Sequence, residues 1–111
     1  MSPRDRKDLF PGALEMMVLQ TLQHQPMHGY ALVQRIQQAS RNLLQVEEGS
    51  LYPALQRMLV KGWIVGEWGR TAENRRARYY RLTAAGRRQL EREMEEYRRV
   101  AQAIDLILRP A

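Results

Sequence analysis

The sequence predicts a mainly α fold with one small β-hairpin and a long C-terminal helix. Three observations lead there. Apolar residues recur at helical spacing in three segments between about residues 12 and 62. Two strand-like runs, 63–68 and 77–82, follow close together with Gly69 between them. The end of the chain then carries Leu90, Met94, Tyr97, Ala101, Ile104 and Leu108, spaced 4, 3, 4, 3 and 4 residues apart, as one apolar seam. With 111 residues in all, a single core is expected. Residues 1–8 read as a loose arm, 9–83 as one compact unit, and 84–111 as the terminal helix.

Pro11-Gly12 opens the first helix, expected from about Gly12 to His24, with Leu14, Met17, Val18, Thr21 and Leu22 as its stripe. Gln25-Pro26 breaks it, because proline disfavours helix in the residue before it. The second helix is expected from His28 to Ser40, with Leu32, Val33 and Ile36 inward. Tyr30 in its first turn either places a hydroxyl on a ligand or seals the core. Arg41 to Val46 is a connector. The third helix runs from Gly49-Ser50 to Lys61-Gly62, and Pro53 is expected in its first turn, where a missing N–H costs nothing. Glu47 and Glu48 suit the positive end of its dipole. Leu51, Leu55, Met58 and Leu59 fall on one side. Ser50, Pro53, Gln56 and Arg57 fall on the other, with Tyr52 at the boundary. Residues 69–76 connect the two strands. Thr83 caps the last helix, Ala84 to Leu108, although Gly86 stands where a capping box would have an acid.

Charge narrows the partner. Arg70, Arg75, Arg76, Arg78, Arg81, Arg87 and Arg88 face a single acid, Glu73, within one window, which therefore holds the whole formal charge of +6. Guanidinium groups bind phosphate through paired hydrogen bonds, so a local arginine patch points to a polyanion, the alternative being a solvated surface in an arginine-rich chain. There is no Cys, hence no disulfide or thiolate metal site, and the cytoplasm is the expected compartment. Met1 to Asp8 is charged and is not followed by an uninterrupted apolar region, so no signal peptide is expected, and no apolar run is long enough for a membrane span. His24 and His28 are separated by Pro26 and share no helical face, so no metal site is expected. No catalytic triad, carboxylate pair or phosphate loop is evident, which argues against an enzyme and against a bound cofactor.

Three helices followed by a hairpin with a basic tip resemble a winged helix-turn-helix, in which the third helix enters the major groove and the hairpin, or wing, lies along the neighbouring backbone or minor groove. On that reading Tyr30, Ser50, Tyr52, Pro53, Gln56, Arg57, Arg70, Arg75, Arg76 and Arg78 are the DNA-facing residues. The bland alternatives are a polar surface helix and a solvated loop. The terminal seam of Leu90, Met94, Tyr97, Ala101, Ile104 and Leu108, broadened by Val100 and Ile107, either packs back on its own domain or pairs with a second copy, together with Leu14 and Met17 of the first helix. Two reading helices about a two-fold axis would suit a palindromic operator in double-stranded DNA.

The motifs His28-Gly29-Tyr30, Glu48-Gly49-Ser50-Leu51-Tyr52-Pro53-Ala54-Leu55, Gly62-Trp63-Ile64, and Arg78-Tyr79-Tyr80-Arg81-Leu82-Thr83 with Gly86 resemble the PadR family of bacterial transcription regulators, over about residues 9–108. The resemblance implies a homodimeric repressor, in which the final helix dimerises with the final and first helices of the partner. It is to the shorter branch, with one C-terminal helix. Some members of that branch hold flat aromatic compounds between subunits. Here Met16, Met94, Tyr97 and Ala101 would form the wall, without the Trp that some drug-binding members use. The rival readings are a small-molecule sensor with secondary DNA contact, and a winged-helix module for RNA or protein.

Overall fold

The computed structural model describes residues 12–110. The expected arm at 1–8 lies outside them. The described residues form α1 (Ala13–Thr21), β1 (Met27–His28), α2 (Gly29–Ala39), α3 (Glu48–Val60), β2 (Ile64–Arg70), β3 (Arg76–Leu82) and α4 (Ala84–Leu108). The three strands make one antiparallel sheet in the order β1-β3-β2.

Helix α1 is shorter than its periodicity suggested. It ends at Thr21, and Gln23 N already bonds three residues back, to Gln20 O at 3.2 Å. Such tightening is a common way for the last carbonyls of a helix to find donors. His28 precedes α2 rather than starting it. Its backbone lies in β1, opposite Tyr79, while its ring Nδ1 accepts the Ala31 N–H at 3.3 Å and so caps the helix.

Helix α3 begins at Glu48, earlier than expected, and this corrects the role of Pro53. The proline is the sixth helical residue, and the N–H it lacks would have bonded to the Gly49 carbonyl. Gly49 and Pro53 are both exposed, so water can take that carbonyl's lone pairs. The C-terminus closes as a Schellman motif: Gly62 adopts φ +75°, Trp63 N donates to Met58 O at 3.0 Å and Gly62 N to Leu59 O at 3.1 Å.

The strands extend further into the hairpin than the sequence suggested, so Arg70 and Arg76 are directly opposed strand residues rather than loop residues. The turn is closed by Thr71 N to Arg75 O at 2.8 Å, with Asn74 at φ +63°. Alternation divides the arginine window between the two sides of the sheet. Arg76 and Arg78 share a face with Tyr80 and Leu82, whereas Arg81 lies on the opposite face and pairs with Glu67 at 3.2 Å.

The core is built from Val18, Leu19 and Leu22 of the α1 segment, Leu32 and Ile36 of α2, and Leu51, Leu55 and Met58 of α3. Ile64, Tyr80 and Leu82 of the sheet and Leu90 of α4 complete it. Thr83 Oγ1 accepts the Gly86 N–H at 3.0 Å and also lies 2.7 Å from Gly62 O, pinning the start of α4 to the end of α3. A Cβ on Gly86 would stand 2.1 Å from the Trp63 carbonyl oxygen, so this glycine marks a close backbone crossing as well as an imperfect cap. Leu90 has to be removed from the candidate dimer seam. It is 1% exposed in the core of its own chain and offers no surface to a second copy. Beyond Tyr97 the stripe is different: Ile104 and Leu108 are exposed, and Ile107 and Leu106 with them. No helix among the described residues is long and apolar enough to cross a membrane.

Candidate nucleic-acid interface

The first turn of α2, Tyr52 in the N-terminal half of α3 and the hairpin border a cleft of about 870 Å³, lined by Tyr30, Tyr52, Trp68, Arg75, Arg76, Arg78 and their neighbours. Tyr30 is 57% exposed, which removes the reading in which it seals the core. Tyr52 also reaches the cleft. Its ring packs on the α2 N-terminus at Gly29, where a Cβ would lie 2.7 Å from the Tyr52 hydroxyl. Three arginines face one acid here, Glu73, so the lining is net positive.

The cleft wall supplied by the hairpin is ordered by alternating aromatic and cationic side chains. Tyr80 is buried at the base, and burial pushes its hydroxyl pKa up, opposed by the Arg78 charge. The Arg78 guanidinium lies 5.8 Å from the Tyr80 ring centre, in space left by Gly66, where a Cβ would come within 2.4 Å of Arg78 Nε. Trp68 is directly opposite Arg78 in register, and Arg76 stacks over the Trp68 ring at 4.4 Å. These contacts hold guanidinium groups toward the cleft before any ligand arrives. Arg70 does not join the lining; it donates to Asn74 O at 3.1 Å and braces the turn.

Ser50, Pro53 and Arg57 lie elsewhere. They line a second cleft, of about 440 Å³, between the start of α1 and the start of α3. Arg57 Nη2 donates to Glu15 Oε1 of α1 at 2.7 Å. Gln56 belongs to neither cleft and sits on the outer edge of α3 with Gly49, Pro53 and Val60, all exposed. A third cleft, about 360 Å³, lies between α1, the end of α2 and α4. Met16, Met94 and Tyr97 line it, together with Ile36 and Leu44, within a single chain, whereas Ala101 lies further along α4 and does not.

Two residues of this surface escaped the sequence reading. Trp68 reads in the sequence as a strand former, yet it is 62% exposed; a Trp beside Glu67 and Arg70 near a basic tip is the available signal. Glu15 gave no signal, since its partner Arg57 is 42 residues away. Among the described residues no group of His, Cys, Asp and Glu is placed to hold a metal ion.

The model of the transcriptional regulator PadR-like family matches residues 18–92. An uncharacterized protein X of Lysinibacillus sphaericus is 29% identical over 103 residues, 93% of this chain and 94% of that protein. Among solved structures, a PadR family transcriptional regulator from Eggerthella lenta is 27% identical with a TM-score of 0.79, over 97% of this chain and 92% of its own. A PadR-like transcriptional regulator from Bacillus cereus is 26% identical with a TM-score of 0.77, over 94% and 99%. A transcriptional regulator from Clostridium thermocellum, 24% identical over 92% and 99% of the two chains, shares the fold with a TM-score of 0.83. The matched span takes in α2, α3 and the whole hairpin, and the chain belongs to the PadR-like family of transcriptional regulators.

Proposed function

We propose that the protein is a homodimeric repressor that binds a palindromic operator in duplex DNA. Members of the family are transcriptional regulators that bind DNA, not enzymes. The observation that carries the finer reading is the cleft in which Tyr30 and Tyr52 face Arg75, Arg76 and Arg78. The wing arginines and the tyrosine hydroxyls supply phosphate contacts. The exposed edge of α3 at Pro53 and Gln56 meets base edges. The apolar end of α4, bare in one protomer, supports pairing with a second copy, with Leu14 and Met17 of the partner's α1 nearby. Action on chromosomal DNA puts the protein in the cytoplasm.

The test is binding to the DNA upstream of the protein's own gene, against a random duplex of equal length, across a salt series. The upstream duplex is expected to bind at least about 10³-fold tighter, with affinity falling steeply as salt rises. Equal affinity for the two duplexes refutes the repressor reading and favours a module for RNA or protein.

A second reading is supported by the mainly apolar cleft of Met16, Met94 and Tyr97. A flat aromatic effector there would lie against α4 and change the angle between the two DNA-binding halves. Saturation with such a compound that leaves operator affinity unchanged refutes it.

A further inference from the structure

We infer that Trp68 is itself a DNA-contacting residue, its exposed ring packing on the sugar-phosphate strand that the wing arginines hold. The inference rests on the duplex-binding reading above and adds a residue and a kind of contact to it. Trp68 does no work in the core. On its face of the hairpin the apolar interior ends at Tyr80, and Trp68 stands beyond it at 62% exposure. Neighbouring exposed positions of the strands carry charge, namely Glu67, Arg70, Arg76 and Arg81, so an exposed indole is the exception on this sheet. It also points into a defined place, the cleft shared with Tyr30 and Tyr52.

The ring is held ready. Arg76 stacks on it at 4.4 Å, and Arg78, its cross-strand neighbour, is drawn inward over Tyr80 and does not cover it. An indole flanked by fixed guanidinium groups offers a nucleic-acid strand two complementary contacts. The cations take the phosphates, and the apolar ring takes the deoxyribose between them. Bases inside an intact duplex present edges rather than faces, so this contact adds affinity without reading sequence. It also explains why an exposed aromatic is tolerated beside so many charges: it is covered when DNA is bound.

The experiment measures affinity for the upstream duplex and for a random duplex with Trp68→Ala, Arg76→Ala and the double variant. Trp68→Ala is expected to weaken both duplexes by about tenfold, at the low end for aromatic contacts with nucleic acid. The same loss is expected in the Arg76→Ala background. A single-tryptophan Trp63→Phe protein reports directly, and its Trp68 emission is expected to change on saturation with either duplex. Unchanged affinity of Trp68→Ala overturns the inference while wild-type binding upholds the DNA reading. Loss that disappears in the Arg76→Ala background shows that Trp68 only positions Arg76, and overturns the direct contact. If Trp68→Ala fails to fold, unchanged emission of the Trp63→Phe protein overturns the inference by itself. Wild-type protein that binds neither duplex removes both readings together.

Discussion

Glu15→Ala is expected to tighten DNA binding and make it more sensitive to salt, because Glu15 holds Arg57, one of the proposed DNA-facing residues. In the free protein the Arg57 guanidinium is held by the Glu15 carboxylate at 2.7 Å, on the side of α3 turned toward α1. The arginine side chain is still more than half exposed, whereas the glutamate is mostly covered. Deleting the carboxylate therefore releases one guanidinium in each chain of the proposed dimer, at the edge of α3, and removes a negative charge from its flank. Each phosphate neutralised steepens the dependence of log affinity on log salt by about 0.9. Two released arginines in a dimer thus add about 1.8 to the slope. Over a fourfold rise in salt, from about 50 to about 200 mM, the variant's affinity falls about 12-fold more than the wild type's. The cost to folding is small, because such partly exposed pairs contribute about 0–1 kcal/mol. Fluorescence anisotropy of a labelled duplex at three salt concentrations measures the slope, and Glu15→Ala combined with Arg57→Ala is expected to return it to the baseline or below. An unchanged slope refutes the idea that Arg57 reaches phosphate. Weaker binding shows instead that Glu15 holds Arg57 in its DNA-contacting pose.

Four further outcomes follow from the same geometry. Gly86→Ala would place a Cβ 2.1 Å from the Trp63 backbone oxygen and 2.7 Å from Leu82 Cδ1, so a loss of about 3 kcal/mol is expected; an unchanged melting temperature would show that α4 can shift freely at its start. Glu93 has its carboxylate pKa raised, mainly by burial and further by Glu15, against the Gln89 hydrogen bond and the Lys61 and Arg92 charges; the folded state thus holds this proton more tightly than the unfolded one, and stability falls as pH rises through the carboxylate range. Glu93→Gln is therefore expected to raise the melting temperature at neutral pH and to have no effect at pH below the ordinary Glu pKa, and a gain that persists in acid would refute the titration argument. Ile104→Asp with Leu108→Asp puts charge on the bare end of α4 and is expected to give monomers by light scattering with DNA affinity sharply reduced; a dimer that survives places the interface elsewhere. Arg76→Ala is expected to weaken all duplexes alike and Gln56→Ala to relax sequence preference, with about 1–3 kcal/mol at stake for a base contact; the opposite pattern would exchange the roles of wing and helix.

Most of the fold can be read from local pattern, and what cannot be read depends on distance along the chain. Helix α4 runs from Ala84 to Leu108 with Thr83 as its cap, as periodicity and a capping residue indicate, because both signals lie within the element itself. Strand β1 leaves no local trace: it is two residues long and exists only because Met27 and His28 lie beside Tyr80 and Tyr79. Pro53 was misplaced because helix starts depend on the whole first turn, and α3 begins without a side-chain cap at Glu47. The candidate site is legible as residue types but not as a surface. Tyr30, Tyr52, Arg75, Arg76 and Arg78 do converge, whereas Ser50, Pro53 and Arg57 turn to another cleft. Spacing alone cannot separate Leu90 from Ile104. They occupy equivalent positions of one stripe, and the long-range packing of the core around the start of α4 decides that Leu90 is buried and Ile104 is not.

That unequal burial gives α4 a mechanical meaning. Its first turn is fixed to the end of α3 by Thr83 and by the contact of Gly86 with the Trp63 carbonyl. Leu90 then anchors it in the core, and Met94 and Tyr97 form one wall of the α1–α2 cleft. The remaining turns carry the exposed apolar residues. A helix of 25 residues is about 37 Å long, and no proline interrupts this one to make it bend. In the dimer proposed above, a change at the bare end is therefore carried as a rotation of the whole reading head rather than absorbed along the way. The charged groups lie where such a rotation is felt. Glu93 of α4 stands beside Gly12 and Glu15 at the start of α1, and Glu15 holds Arg57 of α3. Displacing α4 against α1 alters the repulsion between the two carboxylates, and with it the grip of Glu15 on Arg57 at the edge of α3, the helix proposed to read DNA.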